Sequence, residues 1–118
     1  MTSHQSREEA LRDLVELRCP VPEALKRLSA FGWASDTELM KIVLEDITRA
    51  LKRFEAKSLA AQDLEAWAEA LQGREDLLLD PTTRDFLADA LFELSTPELF
   101  GPMADIVSDL RTRIVNRA

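Results

Sequence analysis

Asp85, Asp89 and Glu93 stand four residues apart, and Asp105 and Asp109 repeat the spacing further along the chain. On a helix, side chains four apart are neighbours on one face, so each set forms a row of carboxylates. Such a row can solvate a surface, attract a cationic partner or help to hold a divalent metal. Like charges at this spacing cost an isolated helix about 0.2–0.5 kcal/mol per pair, and selection for stability alone would mix lysines among them. Two readings therefore stand side by side: a solvated acidic face that keeps the protein soluble, and a face that meets a partner. A metal site is the weaker alternative, because the carboxylates come with neither a calcium-loop spacing nor a histidine.

Other chemistry has little to work with. His4 is the single histidine and lies in the N-terminal MTSHQ, where residues 1–5 are expected to fray. Cys19, the single cysteine, precedes Pro20 at a helix break with no histidine placed to activate it, so a half-buried structural thiol is expected. There is no glycine-rich phosphate loop and no Cys-x-x-Cys. No catalytic residue, metal ligand set or cofactor is expected. A lone cysteine cannot form an internal disulfide, which fits a reducing cytoplasm. The N-terminal MTSHQSREE lacks an apolar signal core, and no apolar run approaches the roughly 18 residues that span a bilayer.

The net charge of −7 is unevenly placed. Residues 1–59 balance ten bases against ten acids, whereas residues 60–118 hold twelve acids and five bases. That half repels phosphate backbones, which argues against nucleic acid, and would steer a basic protein towards it.

The elements that must position these residues read as helices. At 118 residues the chain has the size of one domain. A first helix is expected over 6–18, with Ser6 as cap. The string RCPVPE breaks it, and Pro22 suits the first turn of a second helix that carries Leu25, Leu28 and Phe31 to a stop at Gly32. Ser35 and Glu38 form a capping-box pattern ahead of Leu39, Met40, Val43, Leu44, Ile47, Leu51 and Phe54. These predict a central helix over about 36–57, about 33 Å long. A fourth helix places Leu64, Trp67, Ala68 and Leu71 inward and ends at Gly73. Asp80-Pro81-Thr82-Thr83 starts a fifth, with Phe86, Leu87, Ala90, Leu91 and Leu94 inward. Gly101-Pro102 starts a sixth, with Met103, Ile106, Val107, Leu110 and Ile114 inward. No strand is expected; LLLD is short and lacks an alternating partner. The chain reads as an all-α, single-domain bundle of about six helices.

Between the fourth and fifth helices lies Arg74-Glu75-Asp76. Arg74 is the one base between Lys57 and Arg84, and its expected work is to hold loop carboxylates or helix-end carbonyls. Glu75, Asp76 and Asp80 then extend the acidic surface of Asp85, Asp89, Glu93, Asp105 and Asp109 at its loop end. Trp33 and Trp67 fall at packing positions and are expected in the core.

The strings LEAWAEALQGRED and LFELSTPELFGP, within residues of about 36–103, resemble a pattern of short, all-helical bacterial proteins of unassigned function. The architecture is similar to that of bacterial toxin-immunity proteins. The resemblance implies a cytoplasmic protein that works by binding another protein, and it carries no active-site residue over. The resulting expectation is a non-catalytic module that inhibits a basic protein partner. The alternative is a homodimer or larger homo-oligomer with a structural or regulatory role.

Overall fold

The computed structural model describes the backbone of residues 3–31 and 40–117, with side chains from Arg7 onward. Gly32, Trp33, the Ser35–Glu38 capping pattern and the first residues of the expected central helix lie outside the described residues. Helix α1 spans Ser3–Val15, so the expected cap position Ser6 lies inside its bounds. It ends because Leu17 turns to a left-handed conformation, φ 56°. The Arg18 N–H then reaches back to the Asp13 carbonyl and the Leu17 N–H to that of Leu14. These paired bonds satisfy carbonyls that the helix end would orphan. Pro20 and Pro22 flank the start of α2, Val21–Leu28, as the proline chemistry predicts.

The chain is mostly helical, as expected in outline, but two of the expected details are overturned. Residues Met40–Ile42 form a strand, β1, and α3 spans only Leu44–Glu55, about 18 Å long. LLLD is also a strand, β2 at Leu77–Leu79, lying parallel to β1 with Met40 opposite Leu77 and Ile42 opposite Leu79. The Met40 N–H donates to the Asp76 carbonyl and the Asp80 N–H to that of Ile42, at 3.3 and 2.9 Å. The MKI triplet has the alternation of a half-buried strand, Met40 and Ile42 facing inward with Lys41 exposed between them, while Met40 by itself also fits the helical stripe of Val43, Leu44 and Ile47. The helix start is decided locally by Asp46, whose carboxylate accepts the N–H of extended Val43 at 3.0 Å. An acid three residues into a helix holds a cap position in this way.

The connection from β1 to β2 runs through α3 and through α4, Ala61–Leu71. Beyond β2 come α5, Arg84–Ser95, a single turn α6, Pro97–Phe100, and α7, Met103–Arg117. The inward stripes expected for α4, α5 and α7 are buried, with Ile114 half-buried at the end. Helix α5 packs on α4, and α7 packs on α5 and α3. Trp67 sits fully buried and donates its indole N–H to the Leu14 carbonyl at 2.8 Å, joining α4 to the last turn of α1.

Candidate functional site

The eight carboxylates expected to form one surface divide into three environments. Asp85 and Asp89 on α5, Asp105 and Asp109 on α7, and Glu75 in the α4–β2 connection are exposed. Asp85 and Asp105 lie in the first turns of their helices, where the helix dipole favours a negative charge. No cation among the described residues pairs with Asp85, Asp89 or Asp105.

Glu93 and Asp80 are tied down. Arg113 of α7 donates to Glu93 at 2.6 Å and pairs with Asp109 at 2.9 Å, so one guanidinium clips the two rows together at the α5–α7 contact. The hydrogen bond to Glu93 is the main cause of an upward shift in the Arg113 pKa. The half-buried Asp80 receives the Thr82 hydroxyl at 3.1 Å and its N–H at 3.4 Å, bracing the turn into α5.

Asp76 leaves the surface altogether. Its side chain is 0 % exposed, and Arg74, 5 % exposed, grips it through two bonds: Nε to Oδ1 at 3.0 Å and Nη2 to Oδ2 at 2.9 Å. Arg7 of α1 adds a third, Nε to Oδ2 at 2.8 Å. Arg74 therefore holds a loop carboxylate, as expected, but the carboxylate is internal. Burial pushes the Asp76 carboxyl up, yet hydrogen bonds and charge from Arg74 and Arg7 outweigh it and hold the pKa below the ordinary range. The physical reason is the pair of arginines: Arg74, two residues back, and Arg7 of α1 close on the carboxylate beside the carbonyl that accepts the Met40 N–H.

The residues that composition did not reveal are apolar. Phe92 is 46 %, Leu99 67 % and Phe100 45 % exposed. Pro97 stops α5, and Thr96 before it leaves the helical region at φ −132°, ψ 58°. One turn of α6 follows, and Gly101 at φ 106° ends it. This reversal brings Phe100 back edge-on to Phe92, with ring centroids 5.7 Å apart at 87°. The Phe92 carbonyl accepts the Thr96 and Ser95 hydroxyls at 2.6 and 3.0 Å. Gln72, at the end of α4, donates to the Leu91 carbonyl and to Ser95 Oγ, holding the same corner from below. A signal for Phe92 was present: it lies three residues after Asp89 and seven after Asp85, on the acidic face rather than the buried stripe.

Elsewhere, a cleft of about 580 Å³ runs along α3, lined by residues that include Leu44, Thr48, Arg49, Lys52 and Arg53. The Cys19 thiol is half-buried, and its pKa is raised chiefly by burial and then by Asp13 and Glu23. Among the described residues no group of three or more His, Cys, Asp or Glu side chains is placed to hold a metal ion. No helix among them is long and apolar enough to cross a membrane. The chain matches no protein-family model, no curated protein and no solved structure.

Proposed function

We propose that this protein is a non-catalytic protein-binding module, of the immunity or antitoxin-like kind, that presents the carboxylates of α5 and α7 to a basic protein partner. The observation that carries the reading is the exposure of Asp85, Asp89 and Asp105 with no cation paired to them among the described residues. Their charge is free to act on an approaching molecule, and the acidic half of the chain extends the field. A single free cysteine fits a reducing cytoplasm as the place of action. A second reading, a homo-oligomer, is favoured by the exposed Phe92, Leu99 and Phe100, which a second copy would cover.

The test is kinetic. A basic protein captured on immobilised wild type is compared for association with wild type and with the Asp85→Asn/Asp89→Asn variant. The variant should remain folded and associate more slowly, and the difference should vanish with added salt, since exposed charges are screened within about 8–10 Å at 0.1–0.15 M. Equal on-rates at low salt would remove the acidic face from the account. A concentration-dependent dimer in sedimentation, with no basic protein captured, would favour the homo-oligomer.

A further inference from the structure

We propose that Phe92, Leu99 and Phe100 anchor a docking site for one kind of occupant, a cationic amphipathic segment of the partner that sets large apolar side chains beside lysines or arginines. The proposal rests on the reading of the acidic face as a partner surface and specifies what that partner must present. Single exposed apolar side chains are ordinary on a soluble protein. Here two of them stand in edge-on ring contact, and exposed Leu99 is the chain neighbour of Phe100 on the same short turn. The corner is also fixed by its own chemistry: Pro97 forces the break, Gly101 ends the turn, and the hydroxyls of Ser95 and Thr96 bind the Phe92 carbonyl. An apolar group held this firmly in water supplies contact area to a partner at little ordering cost.

Charge selects the occupant. Asp85 and Asp89 lie on the same face of α5 as Phe92, and exposed Glu98 neighbours Leu99 on α6. A second copy facing this corner symmetrically would bring carboxylate against carboxylate, each chain carrying −7. An anionic lipid or nucleic-acid surface is repelled in the same way. A purely apolar partner would strip water from the carboxylates without replacing it, and a purely cationic one would leave the rings in water. A segment bearing both satisfies both, and its cations can also lie over the aromatic faces.

The probe is a fluorescently labelled, helix-forming leucine/lysine peptide, with an oligolysine of equal charge as control. Anisotropy gives affinity, and amide chemical-shift mapping gives the place of binding. The leucine/lysine peptide should bind at least about ten-fold more tightly than oligolysine, with shifts centred on Phe92, Leu99 and Phe100. Phe92→Ser and Phe100→Ser, at exposed positions, should leave the helical circular dichroism intact and weaken binding about ten-fold, while Phe92→Leu should retain most of it. If Asp85→Asn/Asp89→Asn weakens binding and the Phe variants do not, the docking proposal fails and the acidic-face reading survives. Shifts centred elsewhere, equal binding of oligolysine, or a Phe92-dependent dimer of this chain would each overturn the proposal.

Discussion

Asp76→Asn is the substitution whose cost the structure defines most sharply. The wild-type carboxylate is wholly buried and accepts three bonds at 2.8–3.0 Å from Arg74 and Arg7. Asparagine keeps the shape but gives up the charge and one acceptor oxygen. Two guanidinium groups, 5 % and 15 % exposed, then stay inside without the Asp76 charge. Removing one member of a buried ion pair costs about 3–5 kcal/mol, a large share of the roughly 5–15 kcal/mol that holds a domain together. The pH dependence has a fixed sign. The folded pKa of Asp76 is depressed, so its contribution is complete above the unfolded value of about 3.9 and is lost as pH falls through the folded value. Urea unfolding followed by circular dichroism at pH 7, 5 and 3 measures the gap between wild type and variant. The gap should be widest at pH 7 and narrow below about pH 4. A gap under about 1 kcal/mol at pH 7, or one that stays constant down to pH 3, would refute the reasoning.

Two further outcomes follow from the core and the thiol. Ile47→Ala and Leu51→Ala each remove a side chain with no exposed surface, and each should lower the stability measured in denaturant by about 2–5 kcal/mol. A loss below about 1 kcal/mol at both sites would mean that α3 does not carry the core. Cys19 should react with iodoacetamide more slowly at pH 7 in the folded protein than in urea, because burial raises its pKa and lowers the thiolate fraction. Equal rates in the two states would contradict a half-buried thiol.

What the sequence determined by itself is whatever local chemistry decides within about a turn of helix. Pro20 and Pro22 mark the α1–α2 break, and the left-handed Gly73 follows α4. Gly101 and Pro102 precede α7, and the buried stripes of α4, α5 and α7 are those that period 3.6 selects. The four-residue spacing of Asp85 and Asp89 was enough to place both on one exposed face. Asp46 was a local signal too, marking the helix start that shortens α3.

Only the tertiary structure decided the rest, because it depends on partners that local spacing cannot reach. Three residues are too few to set a period, and MKI became β1 because Leu77–Leu79 lies beside it after the chain has passed through two helices. Asp76 looked like any loop acid until Arg7, 69 residues away, closed on it. Glu93 left the free row because Arg113, 20 residues on, reaches it. Phe92 and Phe100 meet because α6 reverses the chain between them, turning a scatter of apolar residues into one exposed corner. Each of these contacts requires chain closure first, and folding bears that entropy only when the whole core forms with it.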